Sequence, residues 1–425
     1  MSEQPPIPRP EQRPLPPAPG AGQRRIVLPP HRQRARRPRS VRVREWVRKN
    51  LFPSTGGTLL TLIAAAIMGA IVVGVVIFIF FGANWQVITH NRWLLFAGGF
   101  PHEEAWRLWV SIAVVFALIG AAYGTWSSFG RRDHLFVLLV GGFVIFLMAH
   151  GGAAIWSTLY FLIAIGCMYL GYAATVWMPR ETSTLRTFQV RLVGGLLAIS
   201  LPLVLIILLV GGEVGPRHLD GFVLNLILAP VGIVGGVVLG IPLALGRASR
   251  LRSISLTCTA YIEIVRGAPL LGWLFVALFI LDDVIGGDLI IRAMVVMAVF
   301  TGAYMAEYIR GALQALPRGQ FEAAQAVGLT EMQRTRLIIM PQALRISIPP
   351  MVGQAISIWK DTTLVTVILP LRELKGNADS AIAQFEFTPD RIEAYVFVAV
   401  IFWIVAFAMS RISQRVERAQ GVGER

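Results

Sequence analysis

Long runs of uncharged, apolar residues recur along this chain, and they constrain its fold more than any other feature. A run of about 18 to 20 such residues is long enough to cross the hydrocarbon core of a bilayer as one helix. Hydrophobic residues make up 55% of the 425 residues and charged residues only 15%, whereas a soluble domain carries about 25% charged residues. The sequence therefore predicts an all-α polytopic membrane protein with about ten transmembrane helices.

The apolar runs divide evenly between the two halves of the chain. The two runs on either side of residue 150 are interpreted as a hairpin of two helices, because a single helix there would place the later arginine clusters outside the cell. The predicted spans are 58–81, 108–126, 135–149, 153–177 and 192–210 in the first half, and 226–246, 270–281, 290–310, 348–369 and 394–410 in the second.

The N-terminal segment, residues 1–50, is strongly basic and dense in proline up to Pro38. It contains thirteen Lys and Arg residues against three Glu, and this composition predicts a disordered tail. A basic segment directly before a first span favours a cytoplasmic location and can contact anionic membrane lipid. We favour this topological role over nucleic-acid binding. The predicted spans then place the C-terminal tail, residues 416–425, in the cytoplasm as well.

The stretch between the eighth and ninth predicted spans has the pattern of a helix–turn–helix outside the bilayer. Residues 319–327 suit a short amphipathic helix, and Gly328 is placed to end it in a left-handed conformation. Thr330 and Gln333 have the spacing of a capping box that begins the next helix, followed by an arginine-bearing turn. A polar excursion on the side where the arginines collect is expected to dock onto a partner.

The same stretch contains Glu322-Ala323-Ala324, then Gly328, Ile338 and Met340-Pro341. This pattern resembles the EAA loop of ABC import permeases, which in that family sits in a groove of the cytoplasmic ATPase. Residues 263–271 and 360–364 resemble the polar amino acid branch of that family, and the first half of the chain resembles the general L-amino-acid permeases. The sequence has Met-Pro where the family more often has Leu-Pro. The resemblance implies that coupling to the ATPase involves Glu322, Ala323, Ala324, Gly328 and Pro341.

The resemblance also implies a domain organisation and a set of partners. An accessory membrane region of about five helices would occupy residues 51–220, and a five-helix type I ABC importer core would occupy residues 221–415, with the EAA loop at 311–345. The implied partners are an ABC ATPase dimer that binds ATP and Mg, a second homologous permease that forms a heterodimer with this one, and a periplasmic substrate-binding protein. The implied cargo is polar L-amino acids, and the implied location is the bacterial inner membrane.

The sequence contains no ATPase motif of its own. A P-loop requires a lysine that follows glycine and precedes Ser or Thr, and Lys49, Lys360 and Lys375, the three lysines, lack that context. No Cys and His residues have metal-ligand spacing, and no Ser–His–acid set shares a polar stretch. We therefore interpret the chain as a transport subunit rather than an enzyme. It would bind no metal or cofactor, and ATP hydrolysis would belong to a partner.

Charge inside the ninth predicted span marks a candidate for the substrate path. With Pro350 in the first turn of that helix, Lys360 and Asp361 come about 15 Å further along it, near the middle of the bilayer. They would offer charge to a zwitterionic amino acid, and Thr362 and Thr363 would add hydroxyl groups. The alternative is that the two charges tie neighbouring helices together.

Other polar residues lie near the predicted inner face. Glu307 is a further candidate for the substrate path, although its place at the end of a span favours a structural role. Glu263, Arg266, Gly267 and Pro269 are interpreted as an interfacial elbow, because Gly and Pro there break an amphipathic helix before the next span.

Two other classes of membrane protein were weighed against an importer permease. An ion-coupled secondary transporter is expected to show inverted repeats and several buried acids, and an ion channel is expected to show a repeated filter segment or rings of charge. Neither pattern is present. Gly232, Gly236 and Gly240 share one face of a span, and they predict close helix packing, within the chain or between subunits, rather than a pore lining.

Overall fold

The chain divides into two compact units, residues 1–82 and 83–425. The computed structural model describes five parts of them, residues 39–126, 130–150, 155–178, 183–210 and 214–419. Within those parts all regular structure is helical, apart from one isolated parallel bridge between Gly221 and Glu373. The prediction of an all-α protein is confirmed.

The first unit contains helices α1 (Arg39–Leu51) and α2 (Thr55–Ile77), and α2 continues into a π-helical turn, Phe78–Gly82. Ser54 caps α2, because its hydroxyl accepts a hydrogen bond from the backbone N–H of Gly57 at 3.1 Å. No residue of α2 is buried, which suits an apolar helix surrounded by lipid. The first predicted span is confirmed.

The prediction of a disordered tail over residues 1–50 is wrong for its last part. Residues from Arg39 onward form α1, because the dense run of prolines, which cannot continue a helix, ends at Pro38. Residues 1–38 lie outside the described parts of the chain.

The second unit contains the remaining helices. In chain order they are α3 (Gln86–His90), α4 (Arg92–Ala97), α5 (Ala105–Trp126), α6 (Arg131–His150), α7 (Ile155–Val176), α8 (Ser183–Leu209), α9 (Gly221–Arg247), α10 (Arg252–Gly267), α11 (Leu270–Phe279), α12 (Leu281–Ile285), α13 (Leu289–Ala315), α14 (Arg318–Ala326), α15 (Glu331–Arg334), α16 (Met340–Asp361), α17 (Leu364–Ile368), α18 (Leu374–Ile382) and α19 (Arg391–Ala419).

Seven helices among the described residues are long and apolar enough to cross a membrane, or eight if α10 and α11 form one broken span. In the second unit these are α5, α7, α8, α9, α13 and α19, each of which overlaps a predicted span. Helices α6 and α7 are two elements, but residues 151–154 between them lie outside the described parts, so the hairpin of two spans stays a prediction.

The prediction of a full span over residues 270–281 is wrong. Helix α11 has ten residues, which gives a length of about 15 Å, half the thickness of the hydrocarbon core. It is bent by 101° relative to α10. Helix α11 is short because Pro269 separates it from α10 and because it ends before the acidic residues Asp282 and Asp283.

Helices α5, α7 and α8 pack together within the second unit. A Cβ atom added at Gly120 of α5 would lie 1.8 Å from the carbonyl oxygen of Met168 in α7, so the two backbones approach as closely as glycine permits. On α8, the buried side chain of Gln189 donates a hydrogen bond to the carbonyl oxygen of Thr175 at 2.8 Å. The three helices therefore form one bundle.

Helices α9 and α13 form the centre of the core. A Cβ atom at Gly236 would lie 2.5 Å from Cγ2 of Thr301, and one at Gly240 would lie 2.6 Å from Cβ of Met305. With Gly232, these glycines form the predicted packing face, and the helix that packs on it is α13 of the same chain.

The bounds predicted for the ninth span, 348–369, are also wrong. Helix α16 begins earlier, and Pro349 and Pro350 lie inside it rather than in its first turn. Prolines are tolerated inside membrane helices where neighbouring groups satisfy the carbonyls they free. At its other end the helix stops at Asp361, and a short break separates it from α17.

Candidate functional site

The polar loop, residues 318–339, connects α13 to α16 and begins with α14. Gly328 follows the end of α14 with a φ of +80°, in the left-handed region that favours glycine. The backbone N–H of Leu329 donates to the carbonyl of Ala324 at 3.2 Å, and that of Gly328 donates to Gln325 at 3.0 Å. This pair of bonds is a Schellman motif, so the predicted C-cap is confirmed.

The second helix of the polar loop, α15, begins with the predicted capping box. The backbone N–H of Gln333 donates to Oγ1 of Thr330 at 3.3 Å, and that of Thr330 donates to Oε1 of Gln333 at 3.0 Å. The arginine-bearing turn predicted next is a π-helical turn over Thr335–Ile339, which carries Arg336. It leads directly into α16, whose first turn holds Pro341.

One face of the polar loop packs on the ends of α13 and α16. Ala324 is buried on that face, and the ring of Phe321 packs against an apolar cluster that includes Leu316 and Ile339. The guanidinium of Arg334 lies 5.8 Å from the centre of the Phe321 ring, within the range of a cation–π contact. The face of the loop that carries Ala324 and Phe321 is thus held against the ends of α13 and α16.

The opposite face of the polar loop is open. Glu322 and Ala323 are exposed there. Three large apolar side chains of the loop are also exposed, Val327 at 74%, Met332 at 76% and Leu337 at 59%. These three are the large apolar side chains of the loop that its packing against α13 and α16 leaves uncovered.

Lys360 and Asp361 are the last two residues of α16. Helix α16 begins at Met340, so Lys360 lies about 30 Å along it, and the predicted location of the two residues near the middle of the bilayer stays a prediction. Lys360 is exposed and Asp361 is half-buried. Their position is the end of a helix, next to the break before α17.

The two threonines that follow differ in environment. Thr362 is fully buried, and its hydroxyl accepts a hydrogen bond from Nδ2 of Asn225 on α9 at 2.8 Å. The hydroxyl of Thr363 donates to the carbonyl of Lys360 at 2.9 Å. Thr362 therefore belongs to an interhelical polar network, whereas Thr363 bonds within its own turn.

Sequence patterns did not single out the acid at the centre of that network, Glu373. Its carboxylate is fully buried, and it accepts hydrogen bonds from Asn225 Nδ2 and Thr366 Oγ1, each at 2.9 Å. It also caps α18 by accepting from the backbone N–H groups of Lys375 and Gly376, the second and third residues of that helix, at 3.0 and 3.1 Å. The available signal was Asn225, a lone amide in an otherwise apolar run. We call Asn225, Thr362, Thr366 and Glu373 the Glu373 network.

Asp220, the N-cap of α9, connects helix α4 to the region of the Glu373 network. The carboxylate of Asp220 accepts hydrogen bonds from the backbone N–H of Gly221 at 2.8 Å and from Nδ2 of Asn377 at 3.3 Å. Asn377 also donates to the carbonyl of Leu94 at 2.7 Å. Burial raises the pKa of Asp220 above its usual value. Helix α4 is thereby tied to the starts of α9 and α18.

Five charged side chains meet at the other end of α9, and we call them the Glu307 cluster. Oε1 of Glu307 accepts hydrogen bonds from Arg247 and Arg310, each at 2.8 Å. Oε2 of Glu307 pairs with Arg266 at 3.1 Å. Arg247 also pairs with Glu263 at 2.9 Å. The structure thus brings Glu307 together with two of the predicted elbow residues, an arrangement typical of a structural acid.

The other two elbow residues lie where the chain bends. Gly267 is the last residue of α10, and Pro269 is the N-cap of α11. The indole N–H of Trp273 donates to the carbonyl of Val265 at 3.1 Å and so joins the two arms across the bend.

Comparisons with known proteins agree with these features. Residues 236–421 match the family described as the binding-protein-dependent transport system inner membrane component. The chain is 32% identical over 416 residues to the inner membrane amino-acid ABC transporter permease protein YhdY of Escherichia coli K12, covering 93% of this chain and 98% of that one. It is 35% identical over 356 residues to the glutamate/glutamine/aspartate/asparagine transport system permease protein BztC of Rhodobacter capsulatus, covering 79% of each. A crystal structure of an amino acid ABC transporter with histidines is 29% identical, with a TM-score of 0.43, and covers 47% of this chain and 91% of that chain.

The similarity to YhdY extends over nearly the whole of both chains and does not stop at the core. The resemblance predicted from the sequence is confirmed, and with it the expectation of a multi-pass transport subunit whose ATPase is a separate polypeptide. The chain belongs to the membrane permease subunits of amino-acid ABC importers.

Proposed function

We propose that this permease forms the translocation path for polar L-amino acids and is driven through its polar loop by a separate ATPase. The observation that carries the proposal is the loop itself. Its turn is fixed by the Schellman motif at Gly328 and by the capping box at Thr330, and its open face presents Val327 and Met332. A loop that already has its bound conformation loses little entropy when a partner docks.

The coupling residues divide between the two faces of the loop. Glu322, Ala323 and Gly328 lie on the open side, where they would contact the ATPase. Ala324 is buried against the core, and Pro341 opens α16 directly behind the loop. A displacement of the docked ATPase would therefore reach α16 through a continuous helical segment.

The partners follow from the family. An ABC ATPase dimer would hold ATP and Mg, a second homologous permease would complete a heterodimer, and a periplasmic substrate-binding protein would deliver the amino acid. Among the residues that the structure describes in this chain, no group of His, Cys, Asp and Glu side chains is placed to hold a metal ion. The basic segment before α2 supports an N-terminus on the cytoplasmic side of the bacterial inner membrane, and we place the C-terminus there too.

The proposal specifies the class of the transported amino acids but not the individual ones. BztC is named for glutamate, glutamine, aspartate and asparagine, which supports small polar amino acids as substrates here. Lys360 and Asp361 remain the candidates that can offer charge to such a molecule. Thr362 and Glu307 are already engaged, Thr362 in the Glu373 network and Glu307 by three arginines, and we assign them supporting positions instead.

We further propose the division into an accessory region over residues 51–220 and an importer core over residues 221–415. The bundle of α5, α7 and α8 and the close α9–α13 pair support it, because each has its own tight glycine packing. The EAA loop would extend over residues 311–345, around the polar loop.

The test is uptake into proteoliposomes that contain the complex purified through this permease. We expect an ATPase to co-purify and radiolabelled glutamate, glutamine, aspartate or asparagine to accumulate only when ATP is hydrolysed. The control replaces ATP with a non-hydrolysable analogue, and a panel of apolar amino acids tests the cargo class. Accumulation driven by an ion gradient without ATP would refute the proposal and indicate a secondary transporter.

A further inference from the structure

The Glu307 cluster joins three helices through one carboxylate. Arg247 is the last residue of α9, Arg266 is in the last turn of α10, and Glu307 lies on α13. Both oxygens of Glu307 are engaged, by Arg247 at 2.8 Å and by Arg266 at 3.1 Å. The side chain of Glu307 is 13% exposed and those of Arg247 and Arg266 are 21% and 34% exposed, so these ion pairs are partly shielded from solvent.

A second ion pair nearby differs in burial. Arg250, in the turn between α9 and α10, pairs with Glu331 of the polar loop at 2.6 Å, but the two side chains are 85% and 60% exposed. Exposed pairs of this kind contribute little to stability. Removing one partner of a shielded pair has a larger effect, because the remaining charges lose their compensation. Of the two, the Glu307 cluster is therefore the connection that can transmit force.

The cluster also lies between the polar loop and the elbow. Helix α13 leads from Glu307 directly into the polar loop, and α10 leads from Arg266 into the bend before α11. The guanidinium of Arg266 lies 5.2 Å from the ring centre of Tyr304 on α13, which adds a second contact between the same helices. Movement of α13 would therefore carry the end of α10 with it.

We propose that Glu307 is a positioning residue that makes the ends of α9, α10 and α13 move as one body, so that displacement of the polar loop reaches the α10–α11 elbow. The inference rests on the proposed function, since it assumes that an ATPase moves the loop. It assigns to Glu307 a role in coupling ATP hydrolysis to transport rather than in contacting the amino acid.

The cluster provides a matched pair of variants for the test. Arg247 binds Glu307 from another helix, whereas Arg310 binds it from the same helix, three residues away. Arg247→Gln and Arg310→Gln thus each remove one arginine from the same carboxylate, but only the first removes links between helices, to Glu307 on α13 and to Glu263 on α10. Amino acid uptake and ATP hydrolysis are measured on the same proteoliposomes, and the readout is uptake per ATP hydrolysed, per assembled complex.

We expect Arg247→Gln to lower uptake per ATP at least fivefold and Arg310→Gln to change it less than twofold. Equal ratios for the two variants, or a parallel fall of uptake and ATP hydrolysis in Arg247→Gln, would overturn the inference. Should Arg247→Gln not assemble, Arg247→Lys keeps the charge but cannot bridge Glu263 and Glu307 as a fork. It is expected to show a smaller loss of the same kind, and an unchanged ratio would overturn the inference. Absence of ATP-dependent uptake by the unmodified complex would instead refute the proposed function, and this inference with it.

Discussion

Replacing Gly328 with alanine tests whether the shape of the polar loop matters for docking of the ATPase. A Cβ atom at this position would meet no atom within 4 Å, so the substitution introduces no clash. Its effect comes only from the φ of +80°, which costs a non-glycine residue about 1–2 kcal/mol. If the loop must keep this turn to dock, the population of the docking conformation falls by a factor of about 5–30.

The assay is ATP hydrolysis by the reconstituted complex, titrated with purified ATPase. We expect Gly328→Ala to raise the ATPase concentration needed for half-maximal hydrolysis by up to that factor. Gly319→Ala is the matched control, because Gly319 also has free space around it but lies in the first turn of α14 without a positive φ. Alanine is a better helix former than glycine by up to about 1 kcal/mol, so the control should leave the titration unchanged or shift it the other way.

The reasoning would be refuted if the two glycine variants gave the same titration curve with normal assembly. That result would mean that the loop adopts another conformation when the ATPase docks, and the Schellman motif would then describe only the free permease.

Three further predictions concern the membrane region. Asp361→Asn keeps the side-chain shape and removes its charge, so we expect normal complex yield and reduced uptake of charged and zwitterionic amino acids. Reduced yield with unchanged uptake per complex would instead indicate that Asp361 ties neighbouring helices together. Gly120→Leu should separate α5 from α7 and lower the melting temperature of the purified complex, whereas Gly142→Leu, with no atom within 4 Å, should not. Asn225→Leu leaves hydrogen-bond partners in the Glu373 network unsatisfied at about 1–3 kcal/mol each, so thermal unfolding should occur at lower temperature, and an unchanged melting temperature would contradict the assigned bonds.

The parts of the structure that were predictable depend on local pattern. The apolar runs determine most spans, because a membrane requires a length and composition that few other environments require. The polar loop was equally accessible, since Gly328 and the Thr330–Gln333 spacing each act on backbone groups within one turn.

The parts that were missed depend on which helices meet. The acid of the Glu373 network lies in a short polar segment of the sequence, and only the packing of α9, α16 and α18 buries it. The predicted bounds of α16 were wrong for a related reason. Pro349 and Pro350 are typical of a helix start, yet here the helix continues through them from Met340, which sequence alone does not reveal.

These placements indicate where the core can bend. Helix α9 carries Asn225 of the Glu373 network near its start and Arg247 of the Glu307 cluster at its end, and between them its glycines lie directly against α13. The α9–α13 pair is therefore held by an ion pair at one end and by close packing along its length, and it has little freedom to move internally. Among the described core helices, continuous hydrogen bonding is instead interrupted at Pro269, between α10 and α11, whereas backbone bonds continue from α16 towards α17 through Thr362 and Thr363. The interruption at Pro269 follows the Glu307 cluster. A rigid-body movement of the core would therefore bend at this elbow rather than within the α9–α13 pair.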